Sequence, residues 1–252
     1  MSFEVPADAY DRFMGVHSRQ LAPQFAELAE LAPDGRALDV GCGPGALTTE
    51  LVARLGEGSV AAVDPSETFV AAARERHPGV DVQRATAEAL PYPDSDFDAA
   101  LAQLVVHFMN DPVAGIREMA RVTLPDGVVA ACVWDHAGER SPLSPFWRAA
   151  GELDIGVLDE SALPGARKGH LVELFEAAGL REIEESELVT RIEYASIDDW
   201  LEPFSLGVGP AGAAYAGLDP QRRAELDERC RDILGPPPFA LESVAWAARG
   251  IV

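Results

Sequence analysis

Three glycines, an acid and a proline stand together at the end of a short apolar run, in ALDVGCGPGALT at residues 37–48. Ala37, Leu38 and Val40 read as a buried strand interrupted by Asp39. Gly41, Gly43 and Gly45 then remove side chains at alternate positions before a helical pattern begins. Backbone bared in this way between a strand and a helix lets a ligand approach closely. A second acid, Asp64, ends the next apolar run, SVAAV, 19 residues beyond Gly45. A carboxylate so placed can accept both hydroxyls of a ribose, so the pair points to a nucleoside-containing cofactor. The loop can be forced onto the GxGxxG/A dinucleotide pattern, but Asp39 stands two residues before the first glycine, where a dinucleotide fold carries an apolar residue. A negative charge there suits a ligand that carries an ammonium group.

The elements that must hold these residues follow from periodicity. Leu21, Phe25, Leu28 and Leu31 mark a helix over residues 18–31, and Leu47, Leu51 and Leu55 mark the helix after the glycine loop. Strands are expected at 36–40, 59–63, 80–84 and 97–102, with a fifth in VVAACVW after a turn at Pro125-Asp126-Gly127. Asp111-Pro112 is an N-cap followed by proline at the first helical position. Alternation this regular implies βαβ units and an α/β Rossmann-like, mostly parallel sheet covered on both faces. Beyond residue 135 the pattern changes. A helix ends at Gly179, a long strand covers 181–195, Ser196 to Asp199 forms a capping box, and 239–252 is a last strand. Helical pieces at 141–168 and 197–235 interrupt the sheet, as insertions that cover a ligand do. The reading is one domain over 1–252: a helical leader 1–32, a core of 33–135, 169–196 and 239–252, and two cap insertions.

Composition excludes several functions. The net charge of −22 argues against nucleic acid or an anionic membrane as partner. No apolar run approaches the roughly 20 residues of a membrane span, and MSFEVPADAYDRFMG lacks the pattern of a signal peptide, so a cytoplasmic location is expected. Cys42, Cys132 and Cys230 are far apart and form no CxxC, which suggests neither a disulfide framework nor a metal site.

The motifs together resemble the class I S-adenosylmethionine-dependent methyltransferases, in the small-molecule subgroup with type 11 domains. The resemblance rests on ALDVGCGPG, Asp64-Pro65-Ser66, AEALPYPDSDFDAALAQLVVHFMND and PDGVVAACVWD, and covers residues 36–134 tightly. The leader YDRFMG with LAPQF, and the closing FALESVAWAARGIV, look like those of bacterial members. It implies a seven-stranded sheet with an antiparallel last strand. It also implies S-adenosyl-L-methionine as cofactor, S-adenosyl-L-homocysteine as product, and a small-molecule methyl acceptor. Asp39, Gly41 and Gly43, with Cys42 between them, would surround the methionine end. Asp64, with Pro65 beside it, would bind the ribose. Thr86, Ala87 and Glu88 would lie along the adenine, and Gln103 would face the methionine part. Thr86 stands where members often carry an acid, and Val16 and His17 stand where they often carry an arginine and an aromatic. Tyr10 and Arg19 are the leader's candidates for cofactor contact.

Methyl transfer needs alignment, exclusion of water and sometimes a base. His107, just past the fourth strand, is the candidate base or orienting group. Phe146, Trp147, Trp200 and Phe204 are candidates for lining the acceptor pocket. No metal-ligand set can be placed. Two other functions fit the same cradle: a relative that catalyses a non-methylating reaction, and a non-catalytic binding protein. A homodimer is compatible with the sequence.

Overall fold

The structure, a computed structural model, describes residues 5–156 and 160–252. Seven strands form one sheet in the order β3-β2-β1-β4-β5-β7-β6. They are β1 (Ala37–Val40), β2 (Val60–Asp64), β3 (Asp81–Arg84), β4 (Phe97–Gln103), β5 (Thr123–Trp134), β6 (Arg181–Tyr194) and β7 (Phe239–Ile251). Every neighbouring pair is parallel except those that involve β7. The chain runs outward from β1 to β3, then returns to place β4 on the other side of β1. Strand order therefore reverses between β1 and β4, and a crevice opens at their carboxyl ends, where open α/β sheets bind ligands. The short strands β1 and β2 are buried throughout, as strands covered on both faces must be.

Ten helices accompany the sheet among the described residues. The leader holds α1 (Ala7–Tyr10), a π-helical turn at Asp11–Gly15 and α2 (Val16–Leu28), so helix begins well before the 18–31 expected from the leucine spacing. In the core, α3 (Ala46–Leu55) and α4 (Glu67–Arg76) flank β2, and α5 (Pro112–Val122) follows β4. Asp111 caps α5 by accepting from the Ala114 amide at 2.9 Å. After β5 come α6 (Ser144–Glu152), α7 (His170–Ala178), α8 (Ile197–Leu201), α9 (Gly209–Ala216) and α10 (Pro220–Leu234). The capping box at Ser196 and Asp199 is formed. Helix α9 is not legible in its sequence, GPAGAAYA, because small residues all round give no apolar face.

The turn expected at 125–127 is instead part of β5, which begins at Thr123. Asp126 takes a positive φ of 64°, and the pairing of β4 with β5 jumps from Phe97–Thr123 to Ala99–Val128. The residues between bulge out of the ladder.

The two insertions pack against each other and against the leader. Phe146 of α6 stacks on Phe204 at 4.8 Å, Trp200 of α8 meets Phe204 at 4.9 Å, and Phe13 meets Phe204 edge-on at 5.1 Å. Arg229 of α10 pairs with Glu152 of α6. Residues 157–159 of the first insertion lie outside the described residues.

Candidate active site

A cleft of about 680 Å³ opens at the carboxyl ends of β1, β2 and β4. Its floor is the glycine loop. The Gly41 and Cys42 amides both donate to the Val63 carbonyl, at 2.8 and 2.9 Å, which turns the chain sharply off β1. Gly41 has a φ of 73°, and a Cβ there would lie 2.5 Å from Val105. Gly43 has a φ of 54°, and a Cβ there would meet nothing nearer than Tyr10 at 3.9 Å, so this glycine leaves the cleft open. Both positions need a residue without a side chain, for different reasons.

Asp64 is the anchored acid of the cleft. One carboxylate oxygen accepts from the Gly43 amide at 2.9 Å and the other from the Ser66 amide at 2.8 Å. Burial raises its pKa, and these two hydrogen bonds pull it back. Each oxygen retains capacity for a second donor, so the fixed carboxylate can accept from two further donors.

Asp39 lies beneath the loop rather than on the cleft surface. One oxygen accepts from the Thr48 hydroxyl at 2.6 Å; the other is buried without a hydrogen-bond partner. Burial pushes its carboxyl up to about 7, against the lowering effect of Thr48. Cys42 is also buried below the loop, and burial raises its thiol well above the ordinary value. Cys42 shapes the turn and does not face the cleft.

The remaining predicted positions separate clearly. Tyr10, Pro65, Thr86, Ala87, Glu88 and Gln103 all line the cleft. Burial pushes the Tyr10 hydroxyl up to about 12. Glu88 accepts from the Asn110 amide at 2.8 Å, which ties two walls together. Arg19 does not line the cleft: it is exposed and lies 3.6 Å from Asp11. Asp11 also pairs with Arg76 at 2.6 Å, and Arg76 donates to the Pro44 carbonyl, so the leader is tied directly to the glycine loop.

None of the four aromatic positions expected on an acceptor pocket lines this cleft. Phe146, Trp200 and Phe204 are core of the cover, packed on one another as described above. Trp147 is half-buried and donates from Nε1 to Glu160 at 2.6 Å. Burying large aromatic faces in the cover outweighs offering them to a ligand.

His107 is buried behind the cleft wall, with its ring 3.8 Å from that of Phe108 and 6.0 Å from that of His136. Burial pushes its imidazole down to about 3, so it is neutral and a weak base. Of the two candidate roles, burial weighs against the base and leaves the orienting group. Sequence reasoning also missed part of the wall: Leu104, Val105, Phe108 and Met109 line the cleft. The signal was the apolar run that continues past β4 in QLVVHFMN, beyond the length of a strand.

The group this site would hold can be tested against its residues. Two glycines leave room for a ligand against bare backbone, Asp64 offers a fixed diol acceptor, and the unpartnered Asp39 oxygen leaves uncompensated negative character under the loop. These fit the ribose and the ammonium end of a nucleoside that carries an amino acid.

Comparison with known proteins agrees with this geometry. Residues 38–131 match the family described as methyltransferase domain. The chain is 34% identical over 172 residues to a malonyl-[acyl-carrier protein] O-methyltransferase of Halorhodospira halophila, covering 62% of this chain and 57% of that protein. It is 33% identical over 135 residues to a trans-aconitate 2-methyltransferase of Methylobacterium nodulans, covering 54% and 52%. The chain thus spans little more than half the length of these relatives. The YcgJ protein of Bacillus subtilis has the same fold, with a TM-score of 0.59 at 22% identity, covering 94% of this chain and 98% of that one. Residues 38–131 thus match a methyltransferase domain, and the whole chain has the fold of the YcgJ protein.

Proposed function

We propose that the protein transfers a methyl group from S-adenosyl-L-methionine to a small-molecule acceptor, as a single domain in the cytoplasm. The observation that carries this reading is the Asp64 carboxylate, clamped by the Gly43 and Ser66 amides at the edge of a cleft floored by glycines. When bound, S-adenosyl-L-methionine would supply an electrophilic methyl on a sulfonium, leaving as neutral S-adenosyl-L-homocysteine, and the following residues would hold it. Asp64 holds the ribose hydroxyls. Thr86, Ala87 and Glu88 wall the adenine. Asp39 offsets the ammonium charge through the thin loop, and Gln103 faces the methionine part. Tyr10, brought in by the leader, helps to exclude water. The neutral His107 orients the acceptor rather than taking its proton.

The acidic surface fits a small-molecule acceptor and not a nucleic acid, and a homodimer remains compatible. No helix among the described residues is long and apolar enough to cross a membrane.

Calorimetry with S-adenosyl-L-homocysteine tests the cradle. Asp64→Ala is expected to weaken binding by about 10- to 100-fold, the worth of a charged hydrogen-bond acceptor. Unchanged affinity removes the assignment. Tight binding with no transfer of labelled methyl to any acceptor favours the non-methylating or non-catalytic alternatives.

A further inference from the structure

Native interiors leave few buried polar groups unpaired. Among the described residues, eleven buried side-chain N or O atoms have no hydrogen-bond partner. Seven of them gather in one region. At the carboxyl ends of β4 and β5 stand Gln103 Oε1 and Trp134 Nε1; the His107 and His136 Nδ1 atoms lie just beyond. The Gln103 amide donates to the Ser18 carbonyl at 3.1 Å, which fixes its oxygen as the free end. The His17 ring lies 6.1 Å from that of Trp134, with its Nδ1 also unpaired and its Nε2 3.2 Å from the Tyr194 hydroxyl.

Strand register adds the last two. Trp134 pairs with Ala245, and Ala245 with Leu188. One row further toward the carboxyl edge, on the same face by alternation, Ser243 pairs with Thr190, and both hydroxyls are buried and unpartnered. This is the face covered by the leader and the cap. Gln103 belongs both to this patch and to the cofactor cleft, so the patch begins where the methyl donor would end.

The patch holds donors and acceptors but no cation. The Trp134 indole can only donate and the Gln103 carbonyl can only accept, while hydroxyls and neutral imidazoles can do either. Burial holds the His17 and His136 imidazoles down at about 4 and that of His107 at about 3. Glu160, 3.8 Å from His136, is raised to about 7. Arg140 is committed to Asp135 and Glu187, and the only lysine lies over the Trp246 ring, which faces the other core cluster. An anion placed here would need an imidazole to take a proton that burial denies it. A purely apolar acceptor would leave the donors and acceptors unpaired, which recognition sites penalise strongly.

We propose that this buried polar patch is the acceptor site, and that it takes a small uncharged molecule bearing several hydroxyl groups rather than a carboxylate or a long apolar chain. The inference rests on the methyl-transfer reading for the word acceptor, while the site itself stands on the gathered polar atoms.

The probes are pyrogallol, with three neutral hydroxyls, and gallate, the same ring with an added carboxylate. Calorimetry on the full chain saturated with S-adenosyl-L-homocysteine should show pyrogallol binding, and gallate binding at least about tenfold more weakly. Thr190→Val, Ser243→Ala and Trp134→Phe should each weaken pyrogallol by about three- to tenfold, the worth of one hydrogen bond. Thr190→Val and Ser243→Ala should leave the melting temperature of the free protein unchanged or raised, because each removes an unpaired buried hydroxyl. A merely structural hydroxyl would instead lower the melting temperature and leave affinity alone. Gallate binding as tightly as pyrogallol, or variants with unaltered affinity, overturns the proposal. So does a protein that binds S-adenosyl-L-homocysteine but not pyrogallol, in which case ordered water satisfies the patch and the methyl-transfer reading survives. Variant-sensitive pyrogallol binding without S-adenosyl-L-homocysteine binding keeps the polar site and removes the methyl-transfer reading.

Discussion

Burial has lifted Asp39 to about 7 in the free protein, so it holds a proton through much of the slightly acidic range. An ammonium brought to the other side of the glycine loop favours its charged form. An opposite charge at such range lowers a carboxylate pKa by about 1–3 units. The sign follows from linkage: the free protein binds more protons than the complex, so affinity falls as pH falls. Taking a shift of about one to two units, S-adenosyl-L-homocysteine should bind about five- to ninefold more weakly at pH 6 than at pH 8. At pH 6 binding should release about 0.4 to 0.8 proton, read by calorimetry in buffers of differing ionisation enthalpy. Asp64, Cys42 and His77, which packs on Gly45, are the other ionisable groups close by; Cys42 stays protonated throughout this range, and Asp64 or His77 could mimic the effect. Asp39→Asn separates them, since it should bind more weakly at pH 8 and lose most of the pH dependence. If Asp39→Asn keeps the full pH dependence, Asp39 is not the linked group and the charge argument for the loop fails.

Three further outcomes follow from the same geometry. Gly41→Ala places a Cβ 2.5 Å from Val105 at a φ of 73°, so cofactor affinity and melting temperature should both drop; an unaltered protein would show that the loop is not tightly set. Gln20 and Gln24 of α2 reach the edge strand β6, their amides pairing with both backbone groups of Arg191 and Val189. Replacing both with Ala should expose that edge, raise hydrogen exchange in α2 and β6, and promote self-association by light scattering; a monomer with native exchange rates would refute this. The depressed His107 imidazole costs stability once pH falls below the unfolded value of 6.5. The stability of the protein minus that of His107→Asn, from urea melts, should therefore fall by about 1.4 kcal/mol per pH unit between pH 6 and 4, and a flat difference would mean that His107 is accessible to solvent.

The sheet was legible because its signals are local. The central strands β1, β2 and β4 are short apolar runs, each carrying at or near its end a residue whose chemistry differs from the run: Asp39, Asp64, Gln103. Caps at Asp111 and Ser196 likewise depend on side chains and amides within three residues of each other. The cradle was legible for the same reason, since Gly43 and Asp64 meet through adjacent parallel strands whose spacing is fixed by one helix. The cover was not. Whether Phe204 faces a ligand or Phe146 depends on contacts between segments nearly sixty residues apart, and periodicity carries no information about which aromatic meets which. His107 shows the same limit: its position after β4 was readable, but its burial and depressed pKa come from neighbours such as His136 supplied by the next strand's end.

The leader joins these two levels. Its sequence reads as an amphipathic helix, and its core-facing residues Leu21 and Phe25 are indeed buried without remainder. Yet its contribution to the site is made by polar residues. Asp11 ties it to Arg76 and so to Pro44 of the glycine loop, while Gln20 and Gln24 tie its other end to β6. Held at both ends, it lays Tyr10 on the cofactor cleft and His17 on the buried polar patch, seven residues and about two helical turns apart. One rigid element thus spans both halves of the proposed reaction. On the proposed roles, moving it would disturb the donor and acceptor sides together.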